Sequence, residues 1–139
     1  YSLCFQRVGY FVGSRELISA LDKTRDSYNV NGLGQLAARA TLKSLPYYRS
    51  NFRKIIKLRE KTTLNLAELG FEPLPSQTNF IFTKPPRFAA NTWLKKLRER
   101  KILVRWFKDQ GVRDWLRITI GTEKNMNALL RAVKAILKS

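Results

Sequence analysis

The chain has 139 residues, of which 44% are apolar and 12% aromatic, so it is long enough for one domain with a real core and too apolar for a disordered segment. Twenty-seven Lys and Arg residues against ten Asp and Glu give a net charge of +17. Because there is one cysteine, Cys4, and no histidine, the sequence excludes an internal disulfide, serine–histidine or cysteine–histidine catalysis and a multi-cysteine zinc site, and we expect no metal site.

The first third of the chain combines one strand pattern with two helix patterns. Residues 7–12 are rich in β-forming side chains, which predicts a strand that pairs with strands outside this sequence. Ser14 can cap a helix over 15–25, and a second helix is predicted from Leu33 to Ser44. Because the chain opens on an apolar segment without an initiator Met, we expect it to be a fragment of a longer chain.

The remainder of the chain alternates helices and strands. A long helix that begins near Pro46 runs to about Leu69 and stops at Gly70. Strands are predicted over 79–83, 102–107 and 115–120, an amphipathic helix lies between the first two, and Thr122 caps a final helix. The pattern predicts an α/β fold, more narrowly an α+β small domain in which a three- to four-stranded sheet is covered by helices. The apolar runs are too short to span a membrane.

The strand predicted over 115–120 carries the main functional signal, because its side chains alternate between two faces. The residues are Leu116, Ile118 and Ile120 on an apolar face, and Trp115, Arg117 and Thr119 on the other. An arginine in the middle of such a strand costs free energy unless an anion meets it, and a carboxylate is the best geometric match. From spacing alone, an internal Asp or Glu partner or a strand face open to water is the favoured explanation of Arg117. The chain has only ten acidic residues, however, and this scarcity raises the odds that the partner is a ligand. Arg7 poses the same question, with a phosphate as the candidate partner.

Four segments, in this order, resemble the fold-type I pyridoxal-phosphate aminotransferases. They are Arg7-Val8-Gly9-Tyr10, Pro75-Ser76-Gln77-Thr78-Asn79-Phe80, Ile102-Leu103-Val104-Arg105 and Leu116-Arg117-Ile118-Thr119-Ile120-Gly121-Thr122. The last two are most similar to the histidinol-phosphate aminotransferase group of that family. The resemblance covers essentially the whole chain and implies an aminotransferase C-terminal domain. Residues 1–27 would be the tail of the large cofactor-binding domain, and 28–139 the small domain with a long interdomain helix.

The resemblance also implies roles for individual residues. Arg7 matches the arginine that contacts the phosphate of pyridoxal 5'-phosphate, and Arg117 matches the one that binds the substrate carboxylate or an equivalent group. Asn79 and Arg105 match supporting positions of the site. The family's Schiff-base lysine would lie two positions before Tyr1, so we expect no catalytic residue in this chain and no activity from it alone.

The function implied by the resemblance is a transferase reaction in histidine and amino-acid biosynthesis. It would move an amino group between a donor of the histidinol-phosphate or glutamate type and a 2-oxo acid, in a cytoplasmic homodimer with no membrane partner. Two alternatives remain: a pyridoxal-phosphate-dependent phospho-amino-acid decarboxylase of the same superfamily, and a basic nucleic-acid-binding or interaction module without catalysis. The charge of +17 suits the module, but the basic residues lie opposite apolar stripes, as on any solvated face, and nucleic acid is not the expected partner.

Overall fold

A computed structural model describes residue 1 and residues 3–139, which form two compact units, Tyr1–Asn51 and Phe52–Ser139. The predicted domain boundary after residue 27 does not coincide with this division. It concerns the domains of a longer family member and stays a prediction. Within the part of the chain that the structure describes, no helix is both long and apolar enough to cross a lipid bilayer.

The first unit is built from short helices, and few of its described residues are buried. They are a 3₁₀ turn (Cys4–Gln6), α1 (Arg15–Thr24), α2 (Gly32–Lys43) and the first turns of α3 (Leu45–Glu68), which continues into the second unit. Ser14 caps α1 as predicted, because its hydroxyl oxygen accepts a hydrogen bond from the Leu17 N–H at 3.3 Å. Among the described residues of this unit only Gly34 and Thr41 are buried.

The strand predicted over 7–12 is wrong. Arg7 has a left-handed backbone (φ 54°), and residues 8–14 adopt no regular secondary structure. A β-strand needs a neighbouring strand for its N–H and C=O groups, and none of the described residues of the first unit forms one. The high β-propensity of this segment is therefore not enough to form a strand, because the described residues of the first unit offer no strand to pair with it.

The second unit contains a four-stranded sheet and two further helices. Its elements are β1 (Glu72–Pro73), β2 (Phe80–Lys84), α4 (Ala90–Glu99), β3 (Arg105–Trp106), β4 (Leu116–Thr119) and α5 (Glu123–Lys138). The strands lie in the order β1-β2-β4-β3, and every neighbouring pair is antiparallel. The predicted α+β fold with a three- to four-stranded sheet and covering helices is confirmed.

The core lies between one face of this sheet and helices α3, α4 and α5. The strand side chains Leu116, Ile118 and Ile120 are buried there, as their alternation predicted. Trp93 of α4 is fully buried, and its indole Nε1–H donates to the Pro86 carbonyl at 2.8 Å, so the ring is both packed and satisfied.

Two boundaries are set by the ends of helices. Gly70 (φ 85°) ends α3 where the sequence predicted, because glycine adopts this left-handed conformation without strain. Strand β3 is shorter than the predicted 102–107, because the Ile102 N–H donates to the Leu97 carbonyl at 3.0 Å and closes the end of α4 instead of pairing in the sheet.

Candidate functional site

The sheet face turned away from the core carries the arginine singled out from the sequence. In the antiparallel register Arg117 lies opposite Phe82 on β2 and opposite Arg105 on β3. Directly opposed residues project from the same face, so both arginines share this outer face. Like charges placed opposite each other repel, and the arrangement is therefore favourable only when an anion offsets them.

The guanidinium group of Arg117 is surrounded by aromatic rings. Its Cζ lies 5.4 Å from the centre of the Phe80 ring and 5.9 Å from the centre of the Phe107 ring. The Nε atom is buried and has no hydrogen-bond partner among the described residues, and none of their carboxylates forms an ion pair with Arg117. Neither an internal acid nor a face fully open to water accounts for this side chain. It is a charged donor that can meet an external anion.

Arg105 approaches the same ring from the next strand. Its Cζ lies 5.2 Å from the centre of the Phe107 ring, and its side chain is exposed. We use the name anion cradle for the four residues Phe80, Arg105, Phe107 and Arg117. The cradle combines two permanent positive charges with two ring faces, which is a suitable surface for a carboxylate or phosphate group.

Asn79 lies at the entrance to β2, next to the cradle residue Phe80. Its carbonyl accepts a hydrogen bond from the Ile120 N–H at 2.9 Å, which fixes its backbone. Its side-chain amide is exposed and makes no hydrogen bond to the described residues, so it is available to a ligand.

Sequence reasoning missed Arg59, which holds the loop before Asn79. Arg59 is buried on α3, and its Nη1–H donates to the Thr78 carbonyl at 2.7 Å. The sequence contains a pattern that could have identified this residue. Arg59 falls at helical spacing between Ile55 and Thr62, on the side of α3 that faces the core.

Arg7 belongs to the first unit, whereas Asn79, Arg105 and Arg117 belong to the second. The side chain of Arg7 is exposed and has no hydrogen bond or ion pair with the described residues. Its backbone N–H donates to the Cys4 carbonyl at 3.2 Å and ends the 3₁₀ turn. The structure thus brings Arg105 and Arg117 together in the second unit, and Arg7 is an exposed cation of the first unit.

Comparison with known sequences identifies a matching family and several relatives. The chain matches the family "Aminotransferase class I and II" over residues 1–133. The histidinol-phosphate aminotransferase of Microcystis aeruginosa is 39% identical over 137 residues, which cover 99% of this chain and 39% of that protein. The histidinol-phosphate aminotransferase of Lactococcus lactis is 41% identical over 140 residues, with the same two coverages. The chain spans about two fifths of the length of these relatives.

Comparison with solved structures gives the same fold. Histidinol-phosphate aminotransferase from Sinorhizobium meliloti, solved in complex with pyridoxal-5'-phosphate, has a TM-score of 0.82 and 25% identity, over 98% of this chain and 39% of that one. L-threonine-O-3-phosphate decarboxylase from Porphyromonas gingivalis has a TM-score of 0.78 and 22% identity, over 92% of this chain and 41% of that one. The second similarity concerns the fold alone.

Proposed function

The chain belongs to the class I and II aminotransferase family, and from that premise we propose that it is the C-terminal part of a pyridoxal-phosphate-dependent aminotransferase of the histidinol-phosphate type. The enzyme moves an amino group from its donor to a 2-oxo acid in histidine biosynthesis, as a cytoplasmic homodimer. The names of relatives at 39% and 41% identity support this choice over the decarboxylase. The observation that carries the proposal is the buried Nε of Arg117, which has no hydrogen-bond partner among residues 1 and 3–139.

Arg117 binds the anionic group of the amino donor. Its planar guanidinium can donate two parallel hydrogen bonds to a carboxylate or phosphate, and Arg105 on the neighbouring strand adds a second positive charge. Fixing the donor at this end orients its Cα–H bond for proton removal, which lowers the entropic part of the barrier.

We propose that Arg7 binds the cofactor and that Asn79 is a supporting residue. The exposed guanidinium of Arg7, with no partner among the described residues, fits the phosphate of pyridoxal 5'-phosphate. Asn79 is a supporting residue whose free amide can donate to the bound ligand. When bound, the cofactor supplies an electron sink for the carbanion chemistry. The residues of this chain bind the cofactor and the amino donor, and they orient the donor.

Residues 1–27 are proposed to be the tail of the large cofactor-binding domain, and residues 28–139 the small domain with α3 as the interdomain helix. The side chains of Phe5, Tyr10 and Val12 are 81–89% exposed, which suits a segment that is covered by a larger domain. The resemblance places the Schiff-base lysine before Tyr1, so we propose that the 139 residues alone do not transaminate. Turnover by the isolated chain with added pyridoxal phosphate would contradict this point.

The test compares two arginine variants of the full-length protein, with histidinol phosphate as donor and 2-oxoglutarate as acceptor. Arg117→Met is expected to lower kcat/KM about 100-fold, because each hydrogen bond to a charged group contributes about 1.5–3 kcal/mol. Arg98→Met, which removes an exposed arginine from α4, serves as the matched control and is expected to leave kcat/KM unchanged. An unchanged kcat/KM in Arg117→Met would refute the assignment. Release of CO₂ from a phospho-amino acid without amino transfer would instead identify the decarboxylase.

A further inference from the structure

We propose that Phe107 is a positioning residue, whose ring holds the guanidinium groups of Arg105 and Arg117 together at one anion-binding site. The proposal deepens the function proposed above and rests on it, because the site that Phe107 organises is the one assigned to the amino donor. It concerns a side chain that lies outside all four segments that resemble the aminotransferase family.

The distances place one ring beside two cations. The Cζ atoms of Arg105 and Arg117 lie 5.2 Å and 5.9 Å from the centre of the Phe107 ring. The face of an aromatic ring carries partial negative charge and attracts a guanidinium within about 6 Å. Since the two arginines are directly opposed in the sheet and repel each other, a ring attracted to both offsets part of that repulsion before any ligand arrives.

The backbone around Phe107 is held in place. The preceding residue, Trp106, donates from its indole Nε1–H to the Arg113 carbonyl at 2.6 Å, which ties the following loop to β3. Within that loop the Asp109 carbonyl accepts hydrogen bonds from the N–H groups of Val112 and Arg113 at 3.2 and 3.0 Å. The half-buried Phe107 ring is thus attached to a turn with its own hydrogen bonds, which suits a fixed platform better than a mobile cover.

Among the residues that the structure describes, Arg117 contacts a second ring but Arg105 does not. Phe80 lies 5.4 Å from the Arg117 Cζ, so Arg117 retains one aromatic contact when Phe107 is removed. Among the described residues, the Phe107 ring is the one aromatic contact of the Arg105 guanidinium. Removing the Phe107 ring is therefore expected to weaken anion binding by the two arginines while both positive charges remain.

Phe88 provides a matched control in the same unit. Its half-buried ring also contacts two cations, with the Arg87 Cζ at 4.9 Å and the Lys96 Nζ at 5.0 Å from its centre. Arg87 is already engaged, because its Nη1–H donates to the Leu137 carbonyl near the end of α5 at 2.7 Å. Loss of this ring therefore removes equivalent contacts away from the anion cradle.

The experiment uses the 139-residue chain labelled with ¹⁵N and follows the Arg Nε–H NMR signals during titration with inorganic phosphate. Phe107→Leu is expected to raise the apparent Kd for phosphate about tenfold, as the loss of two cation–π contacts would. Phe107→Tyr keeps a ring face and is expected to restore the affinity of the unmodified chain. Phe88→Leu is expected to leave the Kd unchanged. Circular dichroism of each variant confirms that the fold is retained.

The outcomes separate this inference from the proposed function. Phosphate binding that survives Arg117→Met overturns the anion site itself, and with it the proposed function. Binding that is lost in Arg117→Met but unchanged in Phe107→Leu, or weakened equally by Phe107→Leu and Phe107→Tyr, overturns the role of Phe107 alone.

If Phe107→Leu does not fold, relaxation of the Arg105 Nε–H signal in the unmodified chain decides, because Phe107 is the one ring contact of Arg105 among the described residues. An order parameter of about 0.6 or more supports positioning, and a lower value overturns it.

Discussion

Thr83 carries a hydroxyl group that the core does not satisfy. Its side chain is fully buried on β2, and its Oγ1 has no hydrogen-bond partner among the described residues. Thr62 on α3 is equally buried, but its Oγ1–H donates to the Leu58 carbonyl at 2.7 Å. Valine has nearly the shape of threonine, so Thr83→Val and Thr62→Val differ mainly in whether a hydrogen bond is lost.

The structure predicts opposite signs for the two variants. Burying a hydroxyl without a partner costs about 1–3 kcal/mol, so Thr83→Val is expected to raise the free energy of unfolding by about 1–2 kcal/mol. Thr62→Val loses a hydrogen bond and is expected to lower it by about 0.5–1.5 kcal/mol. For a chain of 139 residues the unfolding entropy converts 1 kcal/mol into about 3 °C, so the two Tm values move apart by about 5–10 °C.

Urea unfolding followed by tryptophan fluorescence measures both changes, and calorimetry gives the two Tm values. The slope of free energy against urea should be the same in the two variants, because neither substitution changes the area exposed on unfolding. A Thr83→Val variant that is no more stable than the unmodified chain would refute the reasoning. So would a shift of both variants in the same direction.

Two further predictions concern helix ends. Thr122→Ala removes the side chain that caps α5. The Thr122 hydroxyl oxygen accepts a hydrogen bond from the Asn125 backbone N–H at 3.3 Å, and the Asn125 Oδ1 accepts one from the Thr122 backbone N–H at 2.9 Å. Urea unfolding of the variant should show a loss of about 1 kcal/mol. At the start of α1, hydrogen bonds from its own backbone N–H and then from the Ser14 hydroxyl lower the pKa of Glu16 below its ordinary 4.5. Because the folded pKa is depressed, the contribution of Glu16 to α1 is present above pH 4.5 and lost as the pH falls through the lower folded value. Circular dichroism should show this acid loss of helix, and a Glu16→Gln variant in which the same loss persists undiminished would contradict it.

The sequence was sufficient for most helices and for the central strands, because caps and periodicity are local signals. Ser14 and Thr122 mark helix starts in both the sequence and the structure. Strand β1 could not be predicted in this way, since it has two residues, one of them Pro73, and exists only because β2 lies beside it. The strand prediction for residues 7–12 was wrong for the opposite reason. The β-propensity of the segment is high, but no described residue of the first unit forms a strand beside it.

The candidate site was predictable in part. The alternation of β4 and the shortage of acidic residues single out Arg117, and the structure gives it no internal acid among the described residues. The rings of Phe80 and Phe107 could not be assigned to it, because they come from β2 and from the loop after β3. Which residues meet across strands depends on register, and register is set by the whole sheet rather than by any one segment.

The two outermost strands, β1 and β3, are only two residues long. On β1 the second residue is Pro73, which has no N–H to offer, and on β3 the first is the charged Arg105. Short edge strands that carry a proline or a charged residue offer a foreign strand few backbone groups for pairing. While the second unit stays folded, β1 and β3 therefore disfavour edge-to-edge aggregation of the sheet.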